Sequence, residues 1–204
     1  MSTDEGIEGI VHGSGGPVVE GADSVRGLAR RWAQNREHIE GQDPFDRGRI
    51  EEVLANRFHW PNQELALVDY LLWDIAGKAL GKPVYKLLGA TREKVPAYAS
   101  TLGHISDERY IEVVLEAKDM GFKAIKVHPY CLADDDIRLC HKVRKAVGDD
   151  MTLMLDPIGY PGPYSRHDAF RVARVLDELG FFWLEDPLPL TDLEGLAALR
   201  EACK

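Results

Sequence analysis

Three short apolar runs in the second half of the chain each stop at a polar or charged side chain. Ala124-Ile-Lys-Val ends at His128, Thr152-Leu-Met-Leu ends at Asp156, and Phe181-Phe-Trp-Leu ends at Glu185. The end residues are 28 and 29 positions apart, the length of one strand, one helix and two loops. Runs of this kind predict strands of a parallel sheet that is buried on both faces, with helices between them. Gly121, Gly148 and Gly180 each stand between a helical pattern and the next strand, where a helix stop belongs. A residue that closes such a run sits at the C-terminal end of a parallel strand, the rim on which βα-barrels carry their reacting groups.

The first half reads differently. Residues 4–6 predict a turn and 7–12 a strand, as if the chain began on the second arm of a hairpin. Gly13-Ser-Gly-Gly16 reads as a flexible connection, without the Lys-Ser/Thr of a phosphate loop. Helical spacing follows over 22–34 (Val25, Leu28, Ala29, Trp32), then from Asp43-Pro44 onward (Ile50, Val53, Leu54, Phe58). The most strongly patterned helix starts at Asn62, with Leu65, Val68, Leu72, Ile75 and Ala79 on one face and Gly81 as its stop. Tyr70, Trp73 and Asp74 on that helix predict packing and a buried hydrogen bond. Residues 83–88 predict a brief helix, and Val95–Ser100 the first strand of the repeating part. Ser106 or Asp107, Asp134 and Asp192 are the expected caps of later helices, the last of which meets no stop signal before Lys204.

The expected fold is therefore α/β. Residues 1–90 form an α+β unit and 91–204 four βα units. A complete barrel takes about 250 residues, so the pattern predicts a piece of a longer barrel. The rival expectation is two copies that complete one barrel between them.

Composition narrows the function classes. With 45% hydrophobic and 29% charged residues the chain has ordinary globular composition. Its net charge of −9 argues against nucleic acid and anionic membrane surfaces as partners. No apolar run approaches the roughly 20 residues of a membrane span. The polar, acidic start is no leader, so the cytoplasm is the expected compartment. Cys131, Cys140 and Cys203 show no paired spacing and read as free thiols.

Two carboxylates on neighbouring strand ends repel each other, and a divalent cation relieves that repulsion. An all-oxygen donor set favours a hard ion such as Mg²⁺. The alternative is that Asp156 and Glu185 merely begin loops and cap the helices that follow. His128 is either a base or a structural ring.

Beyond these patterns the chain resembles the mandelate racemase and muconate-lactonizing branch of the enolase superfamily. The resemblance rests on Thr3–Gly9, Gly41-Gln-Asp-Pro-Phe-Asp46, the specific stretch ALVDYLLWDIAGKALGKPVYKLLG from Ala66 to Gly89, Val95–Ser100, Lys126-Val-His128, Asp156 and Trp183-Leu-Glu-Asp-Pro187. It implies a partial N-terminal capping domain followed by the first half of a (β/α)7β TIM-like barrel. It implies a Mg²⁺ enzyme that removes the proton α to a carboxylate and passes through an enediolate, a weak-acid problem that fixed cations solve. Asp156 and Glu185 would be metal ligands, Lys126 a cation at the substrate carboxylate, and His128 the base. The implied substrate is a hydroxy or sugar acid, and the implied assembly a homo-oligomer. Acid-sugar dehydration is the expected reaction. Racemisation, epimerisation or cycloisomerisation is the alternative, and an inert fragment or scaffold a third. Two departures stand out: His128 replaces the second lysine of a Lys-x-Lys pair, and Ile158 stands where Asp-x-Asn would place a polar contact. Tyr160 or Tyr164 is expected near the ligand instead.

Overall fold

The first nine residues fold back on themselves. Ser2 bridges Glu8 in antiparallel fashion, and the Thr3 amide donates to the Ile7 carbonyl at 2.9 Å, so both arms of a hairpin lie within this stretch. The computed structural model describes residues 1–11, 25–60, 62–158 and 162–203. The expected strand end at His12, the loop 13–16, the helix start at 22–24, and Tyr160 lie outside them. The chain divides into two compact units, Met1–Glu93 and Lys94–Lys204.

In the first unit the hairpin lies on helix α4 (Asn62–Ala79). The Ile10 amide donates to Asp74 at 2.8 Å and Lys78 Nζ to the Glu8 carbonyl at 2.7 Å. The approach is close: a Cβ on Gly9 would stand 2.6 Å from the Leu71 carbonyl oxygen. Asp74 thus makes its hydrogen bond to the hairpin at a half-exposed position, and Tyr70 is exposed, so neither is buried as expected. Trp73 does pack, under the guanidinium of Arg47 at 3.6 Å. Helices α1 (Val25–Gln34), α2 (Arg36–Ile39) and α3 (Arg47–Glu52) precede α4. Asp43-Pro44 opens no helix; the Phe45 amide turns back to the Asp43 side chain, and α3 begins only at Arg47. A π turn, Val53–Arg57, follows α3, and Ile50, Leu54, Trp60, Val68 and Leu72 close a small core. Helix α5 (Val84–Leu87) ends the unit.

In the second unit four strands lie side by side in chain order, all parallel: β1 (Ala99–Ser100), β2 (Ala124–Val127), β3 (Thr152–Leu155) and β4 (Trp183–Leu184). The outer strands are much shorter than their apolar runs. Helices α6 (Asp107–Asp119), α7 (Ala133–Val147), α8 (Arg166–Glu178) and α9 (Leu193–Ala202) alternate with them. Ser106 caps α6, accepting the Arg109 amide at 3.2 Å, and Asp192 caps α9 through Gly195 at 3.1 Å. Asp134 is not a cap. Helix α7 starts one residue earlier without a side-chain cap, and Asp136 takes the Tyr130 amide instead. Gly121, Gly148 and Gly180 have φ of 92°, 73° and 65°, the left-handed stop that glycine adopts without strain.

Alternate strand residues go to opposite faces. Ile125, Val127, Leu153, Leu155 and Leu184 join Tyr110, Val114, Leu139, Val143, Val172, Leu176 and Leu199 of the helices in one buried core. Lys126, Met154 and Trp183, in register with one another, stand on the other face. At the N-terminal end of the sheet, Arg144 of α7 donates to four carbonyls: Leu179 at 2.8 Å, Gly148 and Met151 at 2.9 Å, and Gly180 at 3.0 Å.

Candidate active site

The register carries one step past the strands. The Asp156 amide donates to the Val127 carbonyl at 2.9 Å, and the Glu185 amide to Leu155 at 2.8 Å. His128, Asp156 and Glu185 therefore stand in one row at the C-terminal rim, with Lys126 one row below. The four residues marked by the sequence pattern and the family resemblance come together there.

Lys126 is the hub. Its ammonium lies 2.7 Å from Asp156 Oδ2 and 3.1 Å from both oxygens of Glu185. Burial lowers the pKa of this lysine, but the hydrogen bonds and charges of Asp156 and Glu185 outweigh it and raise it. The charge is thus fixed. Two carboxylates against one ammonium leave the cluster with one net negative charge, which suits a bound cation.

His128 is held at three points. Its amide donates to Thr101 Oγ1 at 3.0 Å, its Nδ1 lies 2.7 Å from the Thr101 carbonyl oxygen, and its Nε2 lies 3.1 Å from Asp156 Oδ2. A carbonyl oxygen only accepts, so Nδ1 carries a proton. Nε2 faces the Asp156 carboxylate.

Asp156 is almost fully buried, and its Oδ1 has no hydrogen-bond partner among the described residues. A buried carboxylate oxygen without a donor is costly unless a cation or water meets it. Glu185 is half-exposed, and the indole N–H of Trp183 donates to its Oε2 at 3.1 Å. The Tyr98 ring meets Trp183 edge-on at 5.7 Å and lies 5.8 Å from Lys126 Nζ. Asp186 takes a left-handed φ of 42°, which turns the chain directly after Glu185.

The residues present fit Mg²⁺. Oxygen donors, net negative charge and an orphaned carboxylate oxygen all favour it, and Mg²⁺ commonly takes one or two carboxylates with the rest from water or substrate. Among the described residues, no group of three His, Cys, Asp or Glu side chains is arranged to hold a metal.

Two residues with direct contacts were assigned no role from the sequence. Thr101 follows the first strand, so the strand-end rule applied to that strand finds it. Trp183 is hidden inside an apolar run, and only the alternation of faces marks it. Tyr164, expected near the ligand, is buried in the helix-facing core, and its hydroxyl donates to Asp136 at 2.5 Å.

A parallel sheet with helices on one face and ionisable groups at its C-terminal rim defines a site of the βα-barrel class. Comparison with known proteins specifies it. Residues 1–89 match the mandelate racemase / muconate lactonizing enzyme N-terminal domain, and residues 109–204 match the enolase C-terminal domain-like family. L-talarate/galactarate dehydratase of Salmonella typhimurium is 31% identical, over 97% of this chain and 50% of its own. The crystal structure of D-glucarate dehydratase from Agrobacterium tumefaciens, complexed with magnesium, superposes with a TM-score of 0.71 at 33% identity, over 83% of this chain and 48% of its own. The 3,6-anhydro-D-galactonate cycloisomerase of Zobellia galactanivorans superposes with a TM-score of 0.82 at 26% identity, over 100% of this chain and 56% of its own. The chain belongs to the mandelate racemase and muconate-lactonizing enzyme branch of the enolase superfamily. It spans about half the length of the relatives it matches. Among the described residues no helix is long and apolar enough to cross a membrane.

Proposed function

We propose that this chain supplies the Mg²⁺ ligands and one acid–base face of an acid-sugar dehydratase. The observation that carries the reading is the convergence of Lys126, His128, Asp156 and Glu185 on one rim, with Asp156 Oδ1 buried and unpartnered among the described residues. The similarity to sugar-acid dehydratases supports the substrate class.

Asp156 and Glu185 would hold Mg²⁺, which supplies positive charge to the substrate carboxylate. The Lys126 ammonium adds a second fixed charge, of greatest value when negative charge builds on the carboxylate oxygens. His128 Nε2 takes the proton from the α-carbon, and Thr101 holds the ring at Nδ1 so that Nε2 is the working nitrogen. The electron pair left by the α-proton then expels the β-hydroxyl, which takes the proton now held on His128 Nε2 and departs as water. The resulting enol rearranges to a 2-keto acid.

Cycloisomerisation is the second reading, favoured by the superposition of this whole chain on 56% of the Zobellia enzyme. The experiment is exchange of the substrate α-hydrogen in D2O by the full-length gene product, with Mg²⁺ and a panel of aldonates and aldarates, followed by NMR. Exchange is expected with at least one acid, and loss of exchange in His128→Ala and with EDTA. A 2-keto product identifies dehydration, and a product whose mass differs from the substrate only by deuterium identifies cycloisomerisation or racemisation. No exchange with any acid in the panel overturns the proposed proton abstraction.

A further inference from the structure

Asp136 is fully buried in the first turn of α7, with no part in the chemistry proposed above. Its two oxygens serve two different rim loops. Oδ1 accepts the Tyr130 amide at 2.8 Å, in the loop that leaves β2 just past His128. Oδ2 accepts the Tyr164 hydroxyl at 2.5 Å, in the loop that leaves β3 past Asp156. Tyr164 in turn donates its amide to the Pro187 carbonyl at 2.9 Å, in the loop that leaves β4 two residues past Glu185. One carboxyl and one tyrosine therefore link the three loops that follow the three site-bearing strands.

The same device recurs one unit earlier. The Tyr110 hydroxyl of α6 donates to the His128 carbonyl at 2.6 Å, and the Tyr130 hydroxyl donates to Asp107 at the start of α6 at 2.6 Å. The two rings meet edge-on at 5.5 Å. The Asp136–Tyr164 link differs in being sealed from water and in reaching the strand that carries Glu185. Glu185 is the most exposed of the four site residues, and its strand is only two residues long and is followed by the left-handed Asp186.

We infer that Asp136 and Tyr164 are positioning residues that set the place of Glu185 relative to Asp156 and His128. The inference rests on the proposed metal site. Burial raises the pKa of Asp136, while the donors from Tyr164 and Tyr130 lower it, so losing either donor leaves a buried carboxyl underpartnered.

The test uses the full-length gene product and reads Mg²⁺ affinity by calorimetry alongside thermal stability. Tyr164→Phe removes the hydroxyl and leaves the ring. It is expected to lower the melting temperature and to weaken Mg²⁺ binding by about tenfold, the low end for outer partners of metal ligands. The double variant Asp136→Asn/Tyr164→Phe removes the orphaned charge as well. It should recover much of the lost stability but not the Mg²⁺ affinity, because the Tyr164 loop, which carries the amide bond to Pro187, is still untied from α7. Recovery of affinity together with stability would show that the pair acts on folding alone and would overturn the inference. So would Mg²⁺ affinity within twofold of the parent in both variants. Should Tyr164→Phe not fold, the double variant carries the test. Asp156→Asn serves as the control: if it leaves Mg²⁺ binding intact, the metal site itself is wrongly placed and the inference falls with it.

Discussion

Replacing Arg144 by methionine tests the architecture beneath the rim without touching the rim. The guanidinium donates to the carbonyls of Gly148 and Met151, in the turn before β3, and of Leu179 and Gly180, in the turn before β4. Two of these bonds, to Leu179 and Met151, are partly buried, and the other two are exposed. A hydrogen bond from a charged donor contributes about 1.5–3 kcal/mol where water is excluded and much less where it is not. Counting only the partly buried pair, and allowing for water that reaches the freed carbonyls, the loss is about 2–3 kcal/mol. Methionine keeps most of the apolar stem, so little of this is packing. In a chain of this size that loss corresponds to a fall in melting temperature of about 5–10 °C. Urea denaturation followed by circular dichroism measures it. Arg144→Lys should recover less than half, because an ammonium cannot span four divergent carbonyls as a planar fork does. A loss below about 0.5 kcal/mol for Arg144→Met would refute the idea that this side chain joins the two turns.

Two further predictions concern charge. Lys126→Met removes the ammonium that competes for both carboxylates, so Mg²⁺ should bind about tenfold more tightly while turnover is lost; weaker binding in calorimetry would contradict this reading of the cluster. Burial pushes the Asp107 carboxyl up, but Lys142, Tyr130 and Arg138 hold it down at about 2, below its usual 3.8. Its contribution is therefore present above the unfolded value and lost as the pH falls through 2. Asp107→Asn should cost on the order of 1 kcal/mol at neutral pH, after allowance for solvent screening. The gap to the parent should close between pH 4 and pH 2 in urea titrations, and a gap independent of pH would rule out the ionised partner.

The sequence carried most of the second unit because its signals were local and repeated. Gly121, Gly148 and Gly180 all adopt the left-handed conformation that their place in the pattern required. The site was legible for the same reason: parallel strands in continuous register bring residues of equal phase into one row. What stayed hidden depended on partners distant in sequence. The short extent of β1 and β4 reflects which neighbours pair, not the length of the apolar run. Asp43-Pro44 satisfied the local rule for a helix start, yet Asp43 used its side chain to turn the chain at Phe45. Tyr164 follows a loop rich in glycine and proline and so reads as a ligand contact; its hydroxyl instead meets Asp136 on α7, 28 residues earlier in the chain.

The alternation of faces along β2 and β3 divides two kinds of information between interleaved letters of the same word. Changing Ile125, Val127, Leu153 or Leu155 alters whether the unit folds. Changing Lys126, His128 or Asp156 alters what it can do, at sites where no methylene of the helix-facing core is lost. A lineage could therefore rewrite its chemistry by point substitution while the frame persists. Inserting or deleting a single residue within β2 would exchange the two alphabets at once, sending a lysine into the core and a valine to the rim.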